Sequence, residues 1–333
     1  MDQGFIVGKR RRIVVGAAAG AALVAAGLPF RAFAQGLSKR AVRVIVGQTP
    51  ATGPDIIARL LAPKLAQRWD QPFIVENHAG ASGAIGAELV ARAVPDGHTI
   101  MVNVATLFVF PHLYPKLNFD VIESFQTITH VASTSLALAV HTSVPVDNLQ
   151  EFIAYARARP GQLYYGSPGN GTHHHLCMEL LKLQAGLNIV HIPYKASAGA
   201  TNDLLGGQIP TMFLPIHVAL PMQRGGRIKL LGESLRERHP LFPDLPSIAE
   251  QGLPDYDVDL WFGVWGPAGL PQDIVARYNT ELRGIINDPE MKEQFAKQGL
   301  IAKTSTPLEL ARIARTDYDR WGRVIREAKI RFD

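Results

Sequence analysis

Residues 164–176 read YYGSPGNGTHHHL, and this stretch joins the end of a strand to the start of a helix through a glycine-rich loop. Tyr164 and Tyr165 are aromatic residues of the kind enriched in strands. The following residues, HHHLCMELLKLQ, place apolar side chains at helical spacing. Between them, SPGNGT is built from residues that favour turns. The stretch therefore predicts one strand–loop–helix unit.

The same unit occurs three more times along the chain. Strands predicted at 41–47, 72–77 and 188–194 are each followed by a small-residue loop and a helix, and further strands are predicted at 98–104 and 209–214. The four loops lie at about 48–55, 78–83, 166–172 and 195–201. Such alternation predicts an α/β fold with a parallel-rich sheet covered by helices.

Two aromatic, strand-like segments, 125–145 and 256–267, are expected to carry the chain from one lobe to another and back. They divide the chain after residue 34 into lobe 1 (35–132 plus 256–333) and lobe 2 (133–255), with a ligand cleft between the lobes. Helices predicted at 271–287, 289–298 and 307–329 are expected to supply packing and solvated surface rather than site residues.

The N-terminal residues have the pattern of an export signal. Lys9 and three arginines precede an apolar run from Ile13 to Leu28, and Ala32-Phe33-Ala34 fits an A-x-A cleavage site. This run is shorter than the roughly 20 residues that a membrane-spanning helix needs. Residues 1–34 are therefore predicted to be a signal peptide that directs the protein to the periplasm, by the Sec or the twin-arginine route.

Charge and cysteine content exclude several kinds of partner. The chain carries 34 Lys and Arg against 29 Asp and Glu, a net charge of +5, and residues 1–34 contribute five of the basic residues and one aspartate. The remaining chain has a net charge of +5 − 4 = +1, so neither nucleic acid nor an anionic membrane is expected as a partner.

The chain has a single cysteine, Cys177, which cannot form an internal disulfide. After residue 34 no apolar run is long enough for membrane insertion.

The four loops share the chemistry of an anion site. Each is rich in Gly, Ala, Ser and Thr and leads into a helix, whose first N–H groups have no intrahelical partner and favour negative charge. In open α/β sheets ligands lie at the carboxyl ends of the strands, so two facing lobes would bring four helix starts to one cleft. A single such loop has a simpler explanation, because any strand-to-helix connection needs small residues and a cap.

More specific chemistries fit the opening stretch poorly. Successive side chains on a helix fan out by about 100°, so His173, His174 and His175 cannot share one metal ion. A phosphate loop would need a lysine after Gly171, and a nucleophile elbow would need glycine where Tyr165 stands. We therefore expect no metal, no cofactor and no catalytic residue, although a hydrolase using Ser167 with a histidine stays open as an alternative.

Beyond these patterns, the sequence resembles the solute-binding component of tripartite tricarboxylate transporters, the TctC or Bug family. The matching stretches follow in family order: VRVIVGQTPATGPDIIARLLA (42–62), VENHAGASGAIGAELVARAVPDGHTI (75–100), LYPKLNFD (113–120), PGQLYYGSPGNGTHHHL (160–176), HIPYKASAGATNDLLGGQI (191–209) and LFPDLPSIAEQGLPDYDVDLWFGVWGPAGLP (241–271). The resemblance implies a type II-like flytrap of two lobes with a two-strand hinge and no catalytic role. It implies a monomer that binds a small carboxylate, di- or tricarboxylic or aromatic, and delivers it to permease subunits or, alternatively, presents it to a sensor kinase.

The resemblance also implies which residues contact the ligand. In lobe 1 they are Thr49, Ala51, Thr52, Gly53, Asp55, Gly80, Ala81, Ser82, Gly83, Thr106 and Phe108; in lobe 2 they are Ser167, Gly169, Asn170, Gly171, Thr172, His175, Tyr194, Lys195, Ser197 and Ala198. Three of these have a competing structural explanation. Asp55 could instead cap a helix, Lys195 is expected to pair with a carboxylate of its own lobe, and Phe108, like Phe110, could be core rather than a wall for an aromatic acid.

Departures from the family pattern bear on the ligand. Where the family commonly has P-G-G-x-x-D, this chain has Ala51 and Thr52 between Pro50 and Gly53. Leu214 stands where family members often have an aspartate that could hold an amino group. We therefore hypothesise that the ligand is a carboxylate without an α-amino group.

Overall fold

The computed structural model describes residues 39–114 and 116–330, without the side chain of Ser82. The expected signal peptide at 1–34 lies outside the described residues. In chain order the strands are β1 (Val42–Val46), β2 (Phe73–Asn77), β3 (Thr99–Val104), β4 (Phe125–Thr134), β5 (Leu136–His141), β6 (Tyr164–Ser167), β7 (Val190–Pro193), β8 (Thr211–Pro215), β9 (Ile228–Glu233), β10 (Leu260–Pro267) and β11 (Ile301–Ala302).

The helices alternate with these strands over most of the chain. They are α1 (Gly53–Trp69), α2 (Ala84–Ala91), α3 (Phe110–Leu113), α4 (Leu149–Arg157), α5 (His173–Ala185), α6 (Ser197–Leu205), α7 (Ile216–Arg224), α8 (Gln272–Ile286), α9 (Pro289–Lys297) and α10 (Pro307–Glu327). Two short 3-10 turns, Ala81–Gly83 and Ala105–Val109, precede α2 and α3.

The strands form two mixed sheets, one in each lobe. The first has the order β11-β4-β10-β3-β1-β2 and the second the order β7-β6-β8-β5-β9. Strands of the predicted strand–loop–helix units pair in parallel, as β1 does with β2 and β3, and β6 with β7 and β8. The strands that lie next to the crossovers pair antiparallel. The expected two-lobed α/β fold is confirmed.

The chain passes between the sheets twice. On the way out, Ser135 alone separates β4 in the first sheet from β5 in the second, two residues beyond the expected boundary. On the way back, residues 234–259 connect β9 to β10, and Tyr256 and Val258 in this connection still pack in the core of lobe 2. The chain therefore passes from the first sheet to the second at 134–136 and returns to the first sheet just before residue 260.

A helix also joins the lobes. The second half of α10 places Trp321, Val324 and Ile325 at helical spacing on one face, and this face packs in the core of lobe 2. Leu310 and Ala314, in the first half of α10, pack in a core of lobe 1. The connection between the lobes thus contains two strand crossings and one helix that touches both cores.

Four helices differ from the sequence prediction, among them the short α3, which was not predicted. α6 begins at Ser197, within the expected loop at 195–201, because the segment SAGAT contains two alanines and is compatible with a helix. α4 and α7 were not predicted. α7 contains Pro221, and a proline at an interior position normally argues against a helix.

Candidate functional site

A cleft of about 740 Å³ lies where the two lobes face each other. The strand–loop–helix connections of both lobes reach it, as expected from the carboxyl ends of their strands. Of the predicted contacts, the following line the cleft: Thr49, Ala51, Thr52, Gly53, Gly80, Ala81, Gly83 and Thr106 from lobe 1, and Thr172, Lys195 and Ser197 from lobe 2. The predicted loops therefore converge in space although they are far apart in sequence.

Helices that begin at this cleft lack side-chain caps. The residues preceding α1, α2, α5 and α6 are Thr52, Gly83, Thr172 and Ala196; all four line the cleft, and none caps its helix through a side chain. Among helices that begin away from the cleft, α4, α9 and α10 are capped by the side chains of Asn148, Asp288 and Thr306, whereas α8, which follows Pro271, has no side-chain cap. Uncapped first turns leave N–H donors and the positive end of the helix dipole available to an anion.

Lys195 carries the charge of the cleft. Among the described residues that line it, none is an aspartate or a glutamate, and the only lysine or arginine is Lys195. The expectation that Lys195 pairs with a carboxylate of its own lobe is wrong, because within residues 39–114 and 116–330 its ammonium group forms no ion pair. The electrostatic environment therefore favours a negatively charged ligand.

The two ligand loops of lobe 1 pack directly on each other. A Cβ atom on Gly47 would lie 2.6 Å from the carbonyl oxygen of Gly83, and one on Gly83 would lie 2.6 Å from Nε2 of Gln48. Gly83 also has φ of 112°, a conformation that residues with a Cβ rarely adopt. Glycine is thus required at both positions for the loops to form one continuous wall.

Asp55 shapes the first loop from below and does not line the cleft. Its carboxylate accepts hydrogen bonds from the Ala51 N–H (2.9 Å), Asn77 Nδ2 (2.9 Å) and Arg59 Nε (2.9 Å). Burial opposes its ionisation, but these bonds outweigh burial and lower the pKa of Asp55. The structure places Asp55 as a support for the loop that contains Ala51 and Thr52.

Most of the glycine-rich loop of lobe 2, like Asp55 in lobe 1, lies away from the cleft surface. Ser167, Gly169, Asn170 and Gly171 do not line the cleft. The Gly169 N–H donates to Ser167 Oγ (3.1 Å), and the Gly171 N–H donates to Nδ1 of His175 (3.0 Å). These N–H groups are used within the protein, so the donors that remain free for a ligand are those of the first turn of α5.

The structure places other histidines at the cleft than the one that the resemblance implies. His173 and His174 line the cleft, whereas His175 turns inward and stacks on His191 at 4.0 Å. Burial lowers the pKa of His173 to about 3 and that of His174 to about 4, so both rings are neutral at pH 7. His173 Nδ1 lies 2.8 Å from Thr106 Oγ1, which links the two lobes at the cleft.

Three further predicted residues lie outside the cleft lining. Phe108 is 1% exposed and stacks on Trp261 at 5.7 Å, so it is core, and the hypothesis that Phe108 and Phe110 wall the cleft is wrong. The Tyr194 hydroxyl donates to Asp203, which ties the preceding loop to α6. Ala198 is exposed but does not line the cleft. The side chain of Ser82 is not described.

Other lining residues were missed; Gln48 and Thr201 lie at the ends of predicted loops, and most of the others come from segments with no loop signature. The missed residues are Gln48, Thr134, Thr201, His217, Leu260, Phe262, Gln298 and Leu300, together with several backbone neighbours of the predicted loops. Gln298, the last residue of the helix predicted at 289–298, lines the cleft although that helix was expected to supply only packing and surface, and Leu300 follows it. Leu214, noted above for its departure from the family pattern, lies in the cleft wall.

The family model described as tripartite tricarboxylate transporter family receptor matches residues 57–330. The chain belongs to this family. Protein BugT of Bordetella pertussis is 32% identical to it over 86% of this chain and 89% of its own. A protein encoded in the tcbD-tcbE intergenic region of Pseudomonas sp. strain P51 is 32% identical over 87% of each chain.

Solved structures of related proteins share the fold. Rpa4515 of R. palustris, solved with adipate, has a TM-score of 0.79 and 30% identity, covering 88% of this chain and 98% of its own. MatC of Rhodopseudomonas palustris, solved with bound malate, has a TM-score of 0.75 and 28% identity, covering 86% and 99%. The TctC family consists of periplasmic solute-binding proteins. In the part of this chain that the structure describes, no helix is both long and apolar enough to cross a membrane.

Proposed function

We propose that this protein is a periplasmic receptor that captures a small organic carboxylate without an α-amino group and delivers it to a tripartite transporter. The observation that carries the proposal is the set of four uncapped helix starts around a cleft whose described lining includes Lys195 and no carboxylate side chain. Free N–H donors, helix dipoles and one ammonium group all favour an anion.

Capture follows from the placement of donors in both lobes. α1 and α2 begin on one side of the cleft, and α5 and α6 begin on the other. A carboxylate that bonds to both sides stabilises the closed arrangement of the lobes. The ratio by which it shifts the equilibrium from open to closed is limited by the ratio of its affinities for the closed and open states. Hydrogen bonds to a charged group contribute about 1.5–3 kcal/mol each, so about five to eight of them would offset the ordering cost of association and leave micromolar affinity, about −8 kcal/mol.

The composition of the cleft disfavours an amino acid. An α-ammonium group would lose its hydration and find neither an aspartate nor a glutamate among the described lining residues, while Leu214 presents an apolar surface. Repulsion from Lys195 would add to this cost. The adipate and malate seen in Rpa4515 and MatC support an aliphatic acid for this chain as well.

The hydrolase alternative has little support. Ser167 Oγ does lie 2.7 Å from Nε2 of His191, but Ser167 is 0% exposed and does not line the cleft. A nucleophile must reach its substrate, and this hydroxyl group lies beneath the loop. The choice between a permease and a sensor kinase as the partner concerns the outer surface and leaves the binding proposal unchanged.

Calorimetric titration of matched acids tests the proposal. The purified protein is unfolded and refolded to remove carried-over ligand and is then titrated with succinate, malate, adipate, citrate and benzoate, and with aspartate as the amino analogue of succinate. We expect micromolar binding of at least one acid of the first five, and aspartate at least about tenfold weaker than succinate. Binding of none of the acids would refute the carboxylate proposal, and aspartate binding as tightly as succinate would refute the exclusion of amino acids.

A further inference from the structure

Two histidines lie beneath the cleft and contact the glycine-rich loop at two points. The rings of His175 and His191 stack at 4.0 Å with an interplanar angle of 8°. Nδ1 of His175 accepts the Gly171 N–H at 3.0 Å, and Nε2 of His191 lies 2.7 Å from Ser167 Oγ. Neither histidine lines the cleft.

The hydrogen bonds define the state of the His175 ring. Because Nδ1 accepts a proton donor, it carries no proton, and the neutral ring is protonated at Nε2. Burial lowers the pKa of His175 to about 2 and that of His191 to about 4, so the stacked rings are both uncharged at neutral pH. Ser167, held by His191, accepts the Gly169 N–H at 3.1 Å.

The loop held in this way leads directly into the ligand-facing part of lobe 2. Thr172, His173 and His174 follow Gly171 without a break and line the cleft. Gly171 has φ of 74°, and Gly169 has φ of 133°, conformations that glycine adopts readily but not exclusively, so the direction of the loop depends on its contacts. Thr172 Oγ1 also donates to the Gly169 carbonyl at 2.8 Å, so loss of either histidine contact would loosen the entry to α5 without unfolding it.

We infer that His175 and His191 are positioning residues that set ligand affinity without touching the ligand. They hold the loop at 167–172 so that the first turn of α5 presents its N–H groups to the carboxylate. This inference rests on the proposed function, because it assigns those N–H groups to an anionic ligand. A displacement of about 1 Å at a binding group is sufficient to weaken its interaction strongly.

Paired substitutions at His175 test this role. His175→Asn keeps an acceptor close to the position of Nδ1, whereas His175→Leu removes it. With adipate and succinate as probes, we expect His175→Leu to raise Kd at least about tenfold and His175→Asn to stay within about threefold of the wild type. Cys177→Ala is the matched control: it lies on the same helix, is also buried, and its backbone carbonyl accepts from the Tyr256 hydroxyl, so the substitution should lower Tm and leave Kd unchanged.

A second variant and a ligand-free measurement keep the test decisive. His191→Phe retains a stacked ring but loses the bond to Ser167, and we expect it to raise Kd even if His175→Leu fails to fold. Wild-type Kd in both His175→Leu and His191→Phe would overturn the inference and leave the proposed function standing. If the wild type binds neither probe but binds another acid of the calorimetric panel, that acid is used as the probe; if it binds no acid of the panel, the proposed function fails instead. In that case amide hydrogen exchange at Gly171, measured without a ligand, tests whether His175 holds the loop. Faster exchange in His175→Leu than in Cys177→Ala supports the inference, and equal exchange overturns it.

Discussion

Lys195 is the side chain whose charge acts most directly on a ligand in this cleft. Because it forms no ion pair with a described residue, its removal should affect stability little. We predict that Lys195→Met raises Kd for the tightest-binding acid of the panel about tenfold, equivalent to about 1.4 kcal/mol, with an almost unchanged Tm.

The control for this prediction is Lys229→Met. Lys229 is also a lobe 2 lysine, but it pairs with Asp147 at 3.0 Å and does not line the cleft. Calorimetry on both variants should show weaker binding only for Lys195→Met. Equal affinity in Lys195→Met and the wild type would mean that the ligand charge lies elsewhere.

Individual residues were the hardest feature to predict from sequence. Small residues at helix starts, such as Thr52 and Gly83, were assigned to the cleft because their position follows from the strand–loop–helix unit. Side chains that can turn either way were not: His173 faces the cleft, and His175, two residues later on the same helix, faces the core. Successive helical positions differ by about 100°, and sequence spacing does not state which direction is inward.

At the scale of elements, the two strand crossings are joined by a buried carboxylate. Asp259 immediately precedes β10, and its Oδ2 accepts a hydrogen bond from Ser133 of β4 at 2.7 Å. Burial raises the pKa of Asp259 from its ordinary value of 3.8 to about 7. Between these two pH values the folded protein holds a proton that the unfolded chain has lost, so this group lowers the free energy of unfolding as pH rises through that window.

We predict that Asp259→Asn removes this dependence. The stability of the variant relative to the wild type should be higher at pH 8 than at pH 5, by about 1.4 kcal/mol for each pH unit between pH 5 and the raised pKa. Urea unfolding at the two pH values measures the difference. Asp273→Asn, which also removes one carboxylate but at an exposed position on α8, is measured in parallel as the control. An identical effect of Asp259→Asn at both pH values would contradict the raised pKa.

The elements themselves were largely predictable, with one physical exception. Strong local patterns located β1, β2, β3, α1 and α5 to within a few residues. The antiparallel pairing of β4 with β10 was not foreseen, because it joins segments more than a hundred residues apart and depends on the return crossing. Local periodicity identifies a strand but contains no information about its distant partner.

For the whole molecule, the sequence indicated a hinge of two strands, and the structure adds a helix to it. α10 contributes Leu310 to a core of lobe 1 and Trp321 to the core of lobe 2. Any change in the angle between the lobes must therefore be accommodated along α10 as well as at Ser135 and before Leu260. Packed cores resist continuous deformation, which favours a small number of discrete arrangements of the lobes.

The most direct test of the central claim is a crystal structure of the protein with the tightest-binding acid of the panel. We predict a carboxylate in the cleft, with its oxygens about 2.7–3.1 Å from N–H groups in the first turns of helices from both lobes, among α1, α2, α5 and α6. A ligand bound outside the cleft, or one whose carboxylate faces Leu214 and Phe262 instead of the helix starts, would contradict the account.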